Sequence, residues 1–443
     1  MDNEQRHWGV IGGGMLGLTL ALELTDRGDK VTIHERGDTI GGLASSFQLG
    51  DVTWDRFYHV TLQSDAALRS LLQTLDLDES LQWQPTGTGL YANGKLYPVS
   101  SAIDYLKLPV LSPVAKSRIG ATVLKASRTT DWRKMEQITA RDWLTRWSGS
   151  KAYESFWAPL LRSKLGDRYE EASAAFIWAI IQRLYAARRA GMKQDLFGYV
   201  PGGYAQVLER FHDTLESRGV EIVLSSDVLE VADVGHGVQV RTAAGAEEYS
   251  DVIVTAPSPI AVDIVEGLTE AERTAHNGIQ YQGVVCVSLL LDRPLEGYYV
   301  TNITEDSFPF TGVIEMTALV DPEVFGGRSL VYLPKYAGPT DPIFDQSDDD
   351  ITNHFVDALS KMYPAVFDSK IEAVGVSRAR HVLPISTVGY SESLPPMTTS
   401  VPGVHIVNTA HILNGTLNVD ETVQLATRAA ETLVGAPQRA RRS

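Results

Sequence analysis

Three glycines near the N-terminus are spaced so that a phosphate group can approach the backbone between them. Gly12, Gly14 and Gly17 fit the pattern G-x-G-x-x-G. The first glycine of this pattern allows a tight turn, the second allows close approach of a pyrophosphate, and the third lets a helix pack against a sheet. Glu35 lies 18 residues after Gly17, where a carboxylate can bond ribose hydroxyls. These residue types predict a dinucleotide site.

The elements around these residues can hold them in that geometry. Residues 8–11 form an apolar run before the glycines, an apolar-rich helical pattern follows, and a second strand-like run at 30–34 leads into Glu35. The helix begins near Met15 and Leu16, where unpaired N–H groups and the helix dipole favour phosphate. A glycine-rich turn without a ligand is the alternative.

The residues that follow Glu35 narrow the choice of dinucleotide. Arg36 comes next, and residues 41–44 read Gly-Gly-Leu-Ala. This arrangement resembles the extended fingerprint of the FAD-binding flavoprotein oxidoreductases, which include amine oxidases, protoporphyrinogen oxidases, carotenoid desaturases and UDP-galactopyranose mutases. The resemblance implies FAD as the cofactor. It also implies an α/β fold in which a Rossmann-like FAD-binding domain is interleaved with an α+β substrate domain made of a sheet and a helical cap.

The run Asp55-Arg-Phe-Tyr-His59 resembles a bacterial protoporphyrinogen-oxidase-like subgroup, and more distantly the histidine-bearing stretch of UDP-galactopyranose mutases. In the superfamily this stretch passes beside the flavin ring. The resemblance therefore gives His59 two possible roles, polarising a substrate or touching the flavin. The alternative is a histidine satisfied by backbone hydrogen bonds near the cofactor.

Three later segments resemble cofactor-binding parts of the same superfamily. Residues 201–203 read Pro-Gly-Gly before a helix, and residues 251–257 read Asp-Val-Ile-Val-Thr-Ala-Pro. Near the C-terminus, Asn408-Thr409 replaces the Gly-Asp of most relatives, which argues against a standard amine-oxidase site. Taken together, the resemblance assigns cofactor contacts to Gly12, Gly14, Met15, Leu16, Gly17, Glu35, Arg36, Gly42, Leu43, Ala44, Phe57, Tyr58, His59, Val228, Ala256, Asn408, Thr409, Leu417, Asn418 and Val419.

Candidate catalytic residues outside these motifs are Glu315, on a polar-bearing strand, and Lys335, in the run YLPKY.

The region that the resemblance assigns to the substrate domain also contains a local excess of basic residues. These side chains either hold a substrate phosphate or carboxylate or form a solvated helix face. They are Arg162, Lys164, Arg183, Arg188 and Arg189.

The composition limits the class of protein. The 443 residues are 44% hydrophobic and 21% charged, and the formal net charge is -16. Such an acidic chain is a poor match for nucleic acid, which attracts clustered Lys and Arg. The single cysteine, Cys286, rules out a disulfide within the chain and is expected to be a buried core residue. We find no metal-ligand spacing, no signal peptide and no apolar run long enough to span a bilayer, so we expect a cytoplasmic protein.

The order of the motifs predicts two interleaved domains. Residues 1–65, 198–260 and 371–443 form the FAD-binding domain, and residues 66–197 and 261–370 form the substrate or cap domain. The resemblance implies a FAD-dependent oxidoreductase that takes a hydride from a small-molecule substrate to flavin N5, with a sugar or glycan-pathway intermediate as one possible substrate. A non-redox flavoenzyme of the sugar-nucleotide mutase type, a flavin amine oxidase and a flavin-binding protein without catalysis remain as alternatives.

Overall fold

The glycine pattern lies in a β-turn-α-β unit, as predicted. The computed structural model describes residues 5–188, 195–364, 370–413 and 416–434. Strand His7–Ile11 is followed by helix Met15–Thr25 and strand Lys30–His34. The two strands pair in parallel with Val10 beside Ile33, and both of these side chains are fully buried. Burial on both faces is typical of parallel strands covered by helices.

A parallel sheet of five strands, counted over the described residues, organises the nucleotide half of the molecule, and we call it the nucleotide sheet. Its spatial order is Val404–Ile406, Asp251–Val254, His7–Ile11, Lys30–His34, Glu221–Val223. Helix Met15–Thr25 packs against the C-terminal helix Val419–Val434 beside it. In open parallel sheets, ligands bind beyond the carboxyl ends of the strands. Gly12, Glu35, Thr255 and Val407 each follow such an end, so motifs far apart in sequence meet at one edge.

The turn residues Gly50-Asp51 and Asn93-Gly94 predict two hairpins, and both form. Strand Ser46–Leu49 pairs with Val52–Asp55, and Gln82–Ala92 pairs with Lys95–Pro98. In the second hairpin Asn93 and Gly94 have φ angles of 52° and 68°, the left-handed values that a two-residue type I′ turn requires. A three-stranded antiparallel sheet, separate from these hairpins, has the order Val228–Asp233, Val238–Thr242, Gly245–Tyr249.

The second half of the molecule contains a nine-stranded mixed sheet, within the described part of the chain, which we call the large sheet. Its order is Ile371–Pro384, Tyr281–Leu291, Ser329–Ala337, Gly312–Glu315, Tyr298–Ile303, Gln82–Ala92, Asp195–Tyr199, Thr61–Leu62, with Lys95–Pro98 paired to Gln82–Ala92. The strand-like runs of the sequence at 284–291, 298–303 and 330–333 predict three strands, and all three lie within strands of this sheet. Cys286 lies in strand Tyr281–Leu291 and is fully buried, as predicted.

Strand Ser329–Ala337 gives the large sheet two different faces. Side chains alternate along a strand, so Val331 and Leu333 lie on one face, in a buried cluster with helix Asp348–Met362. Tyr332 and Tyr336 lie on the other face, with the loop after strand Val52–Asp55. We call this second side the tyrosine face.

Helices cover the remainder of the large sheet and the nucleotide sheet. The sequence predicts that residues 115–190 are largely helical and that a helix starts after Thr139. The described part of this block is largely helical, and Thr139 Oγ1 accepts the Asp142 N–H at 3.0 Å as a helix cap. The α-helices are Met15–Thr25, Ala66–Thr74, Ala102–Lys107, Pro113–Arg128, Trp132–Glu136, Ala140–Ser148, Ser150–Ala152, Ala158–Leu165, Ala174–Arg188, Gly203–Ser217, Ser258–Ile264, Glu270–Asn277, Asp348–Met362, Tyr390–Ser393 and Val419–Val434. None of the helices in the described ranges is both long and apolar enough to cross a bilayer.

The division into two interleaved domains stays a prediction. One of its boundaries falls at strand Ile371–Pro384, which we grouped with the nucleotide half. That strand pairs with Tyr281–Leu291 over nearly its full length. Its hydrogen bonds therefore place it in the large sheet, and the chain re-enters the nucleotide sheet only at Val404–Ile406.

Candidate cofactor and substrate site

The two glycine loops identified in the sequence lie directly against each other. Gly41 donates its N–H to the Gly13 carbonyl at 2.7 Å, and Gly14 and Gly41 form a parallel bridge. Gly41 and Gly42 have φ angles of 111° and 56°, which favour glycine because a Cβ is strained there. The second glycine pair thus adds a backbone strip beside the first.

The glycines of the first loop are required for two different reasons. A Cβ at Gly17 would lie 1.9 Å from the Gly12 carbonyl oxygen, so the helix packs onto the loop only without a side chain. A Cβ at Gly14 would meet no atom closer than 3.9 Å, that of Gly42. Gly14 also has an ordinary φ of -75°. The fold itself therefore does not need glycine at position 14, and the open space beside it suits a phosphate group.

Glu35 holds the loop from its other side. Its Oε2 accepts the Gly13 N–H at 2.6 Å, and its Oε1 accepts the Gly37 N–H at 2.7 Å. Each carboxylate oxygen keeps acceptor capacity for a hydroxyl group. The Ser226 N–H donates to the Glu35 carbonyl at 2.8 Å, which brings the segment before Val228 to this end of the site.

Asn408, which replaces the Gly of the usual motif, has most of its hydrogen bonds satisfied by the protein. Its side-chain amide donates to the Ala256 carbonyl at 3.0 Å and to Ser258 Oγ at 3.1 Å, and its Oδ1 accepts the Ala410 N–H. The residue is 1% exposed. Both amide hydrogens are used, so only the remaining acceptor capacity of Oδ1 is available to a ligand. Thr409 is partly exposed.

The C-terminal helix begins close to where the sequence placed it. Asn418 Oδ1 accepts the Glu421 N–H at 3.0 Å, as a helix cap, and the helix starts at Val419. Leu417 packs with Leu43 and Phe57 in one cluster, so three separate predicted segments meet there. Asp420 and Glu421 occupy the first turn, where their carboxylates offset the positive end of the helix dipole.

Asp55, to which the sequence assigned no role, is a buried carboxylate close to His59 and Tyr204. Its side chain is 3% exposed, and Oδ1 accepts the Tyr204 N–H at 2.7 Å at the start of helix Gly203–Ser217. Burial raises the pKa of Asp55 to about 7, and the Tyr204 hydrogen bond only partly opposes this. The signal available in the sequence was its place as first residue of the run ending at His59.

His59 is close to this carboxylate and is held as a neutral ring. Nδ1 lies 2.8 Å from the Phe57 carbonyl, which can only accept, so Nδ1 carries the proton and Nε2 is an acceptor. Burial lowers the pKa of His59 to about 4. The ring also packs on Tyr204, with centroids 4.8 Å apart, and both residues line a small cavity with Asp55. His59 thus makes a backbone hydrogen bond, as expected of a histidine with a structural role. Its Nε2 acceptor has no hydrogen-bond donor among the described residues.

Tyr58 lies in a second polar group, on the tyrosine face of the large sheet. The Lys164 ammonium is 3.1 Å from the Tyr58 hydroxyl and 3.3 Å from the Tyr336 hydroxyl, and the two hydroxyls are 3.1 Å apart. We call these three residues the lysine–tyrosine cluster. Lys164 was one of the basic residues picked from the sequence, whereas Tyr336 was missed because only the fold brings it to Tyr58.

Glu315 and Lys335 do not lie with His59. Glu315 pairs with Val331, on the sheet face that packs against helix Asp348–Met362. Its carboxylate accepts the Leu295 N–H at 2.8 Å and the Gly297 N–H at 2.9 Å and is 2% exposed. Glu315 therefore anchors a loop. Lys335 alternates with Tyr336 and so points away from the tyrosine face. These positions argue against a catalytic role for either residue.

Two of the other basic residues have acidic partners. Arg162 pairs with Asp306 and donates to the Tyr169 hydroxyl, and Arg183 binds both oxygens of Asp65 at 3.1 and 2.8 Å. Arg189 and the side chain of Arg188 lie outside the described residues. Among the residues that are described, no His, Cys, Asp and Glu group is arranged to hold a metal ion.

The family comparison agrees with this geometry. The model of the flavin containing amine oxidoreductase family matches residues 16–434. The chain belongs to that family. Membership implies FAD as cofactor, and the predicted superfamily, α/β fold class and cofactor are confirmed. The open space at Gly14, the paired glycine loops and the remaining acceptor capacity of Glu35 suit a dinucleotide.

Individual relatives show how far the similarity extends. A carotenoid phi-ring synthase of Streptomyces griseus is 26% identical over 272 residues, covering 56% of this chain and 52% of the relative. The chain thus spans about half the length of this curated relative. The structure of "Putative protoporphyrinogen oxidase" from Exiguobacterium sp. 255-15 has a TM-score of 0.75 at 18% identity, covering 97% and 98% of the two chains. Reduced UDP-galactopyranose mutase has a TM-score of 0.74 at 14% identity, covering 97% and 96%. At these identities the structures show a shared fold.

Proposed function

We propose that the protein is a FAD-dependent oxidoreductase that accepts a hydride from a small-molecule substrate. The observation that carries the proposal is the pair of glycine loops joined by the Gly41–Gly13 hydrogen bond, with space for a phosphate at Gly14. FAD, when bound, supplies an electron-accepting ring that takes the hydride. We propose that it contacts the residues assigned above from the superfamily resemblance.

The protein's own contribution is position and polarity. Asp55 fixes the loop that carries His59 by bonding the Tyr204 N–H. The Phe57 carbonyl then fixes the tautomer of His59, so Nε2 offers a lone pair on the substrate side. Since burial lowers the pKa of His59 to about 4, the ring stays neutral at pH 7. We propose that it accepts a hydrogen bond from a substrate hydroxyl or amine and orients it.

A screen by flavin bleaching tests the function. The purified protein, loaded with FAD, is mixed anaerobically with amines, nucleotide sugars and NAD(P)H. An oxidoreductase bleaches the oxidised flavin band with its substrate, and an acceptor such as oxygen restores it. If adding FAD to the purified protein produces no spectral change, the protein does not bind FAD and the proposal is contradicted. Turnover that starts only after reduction and leaves the flavin reduced identifies the mutase-type alternative.

The role of His59 is tested by His59→Ala. We expect flavin content to be retained and turnover to fall by about tenfold or more, the loss of one oriented hydrogen bond in the reacting complex. His236→Ala is the control, because His236 is exposed and bonds Glu248 on a surface hairpin. Unchanged turnover in His59→Ala assigns the residue a purely structural role.

A further inference from the structure

The lysine–tyrosine cluster joins three segments that are distant in sequence. Lys164 lies on the cap helix Ala158–Leu165, which packs over strand Ser329–Ala337, and Tyr336 belongs to that strand. Tyr58 comes from the loop that also carries His59. All three side chains are partly exposed. The cluster therefore lies where the cap, the large sheet and the loop of the proposed site meet.

The hydrogen-bond inventory of this cluster leaves donors over. A lysine ammonium has three N–H donors and no acceptor, and each tyrosine hydroxyl has one donor. Lys164 uses two N–H groups on Tyr58 and Tyr336, and one hydroxyl proton lies between the two phenols. One N–H and one O–H remain, and no carboxylate or carbonyl among the described residues accepts from them. An oxyanion could take both.

The charge of the cluster points to the same ligand. Burial lowers the pKa of Lys164, but the hydrogen bonds that its ammonium donates to the Tyr336 and Tyr58 hydroxyls favour the charged form, and the net pKa lies above its usual value, so the ammonium is charged. Burial also keeps Tyr58 protonated by raising its pKa. Arg162 and Arg183 are neutralised by Asp306 and Asp65. Lys164 has no acidic partner within the described part of the chain and is stabilised by the rings, 4.5 Å from the Tyr336 centroid.

We propose that Lys164, Tyr58 and Tyr336 form an oxyanion-binding subsite that holds a carboxylate or phosphate group of the substrate. The inference rests on the proposed function, because it places this group next to the loop of His59. It identifies the substrate as an anionic molecule whose reacting carbon is separate from its charged end. Charge-assisted hydrogen bonds are strong enough to fix that end.

Anion titration of the FAD-loaded protein tests the subsite without a substrate. Inorganic phosphate and propionate are added separately, with sodium chloride keeping the ionic strength constant. The thermal midpoint and the tyrosine ultraviolet difference spectrum are recorded. We expect saturable binding of at least one anion, weakened by about tenfold or more in Lys164→Met. Lys151→Met is the matched control, since Lys151 is exposed on the same cap, and it should bind as the wild type does.

The pattern of responses identifies the ligand or overturns the subsite. Phosphate binding alone indicates a phosphorylated substrate, and propionate binding alone indicates a carboxylate. Tyr336→Phe should also weaken binding, and it provides a second variant if Lys164→Met does not fold. The subsite is overturned if wild type shows no saturable response, or if the folded variants match Lys151→Met. Flavin content and bleaching, measured on the same samples, report separately on the proposed oxidoreductase function.

Discussion

The nucleotide edge and the lysine–tyrosine cluster are built in different ways. At the nucleotide edge, backbone atoms form the site: the Gly41–Gly13 hydrogen bond joins two glycine loops, Gly14 leaves open space beside them, and local sequence patterns specify these glycines. In the cluster, three side chains from distant segments converge, and no local pattern predicts that Tyr336 reaches Tyr58. Backbone sites are therefore readable from sequence, whereas side-chain sites depend on how sheets and helices pack.

The sharpest way to break this comparison is to separate glycines needed by the fold from glycines needed by the ligand. In Gly17→Ala the new Cβ would lie 1.9 Å from the Gly12 carbonyl oxygen. We expect a loss of flavin and of about 3 kcal/mol or more in the free energy of unfolding. Gly14→Ala should lose flavin but unfold in urea at the same concentration as the flavin-free wild-type protein. Loss of the fold in Gly14→Ala, or full flavin occupancy there, would contradict the phosphate placement.

The second prediction concerns the buried carboxylate of Asp55. Because the folded pKa of Asp55, about 7, lies above the usual aspartate value of 3.8, folding favours the protonated acid. Its ionisation cost is absent below about pH 4, grows as pH rises and is complete above about pH 7. Asp55→Asn removes that cost and can retain the acceptor for the Tyr204 N–H.

The stability difference between Asp55→Asn and wild type, measured by urea unfolding, should therefore increase in favour of the variant between pH 5 and pH 8.5. The full effect, from below pH 4 to above pH 7, is on the order of 4 kcal/mol, of which about 3 kcal/mol falls between pH 5 and pH 8.5. Taking the difference between the two proteins cancels the contributions of other titrating groups. One of these is His59, whose lowered pKa makes folding less favourable as pH falls. If the stability difference does not change with pH, ionisation of Asp55 does not lower the free energy of unfolding, and the prediction is wrong.

A smaller effect is expected from Glu35→Gln at the nucleotide edge. The carboxylate accepts two N–H groups with its two oxygens, whereas an amide has one oxygen and must turn its donors toward the other N–H. We expect the dissociation constant for FAD to rise about tenfold, measured by quenching of flavin fluorescence with apoprotein. Glu221→Gln, on an exposed residue of the neighbouring strand, is the control and should leave affinity unchanged.

The smallest effect is expected from Lys335→Met. Lys335 neighbours Tyr336 in sequence but lies on the opposite side of its strand, so flavin content and anion binding should remain at wild-type values. Its contrast with Lys164→Met tests whether position on the tyrosine face, rather than positive charge in the region, decides anion binding. Equal loss in both variants would mean that general electrostatic attraction is responsible.

Much of the fold followed from local pattern. The β-turn-α-β unit, the hairpin at Asn93-Gly94 and the cap at Thr139 each depend on residues within a few positions, and each forms as expected. Local pattern did not predict the sheet to which strand Ile371–Pro384 belongs. We grouped this strand with the nucleotide half, whereas it pairs with Tyr281–Leu291, a contact between segments far apart in the chain.

The sequence by itself determined a dinucleotide site, because such a site depends on glycine spacing and an acidic residue at the end of a strand, and the resemblance of the later motifs to flavoprotein motifs identified the dinucleotide as FAD. Only the tertiary structure decided which polar side chains lie together. Strand alternation turned Lys335 away and Tyr336 inward, and Glu315 became a loop anchor. The cap helix brought Lys164 to Tyr58, and burial set the pKa values of Asp55 and His59, since desolvation depends on every segment packed around a group.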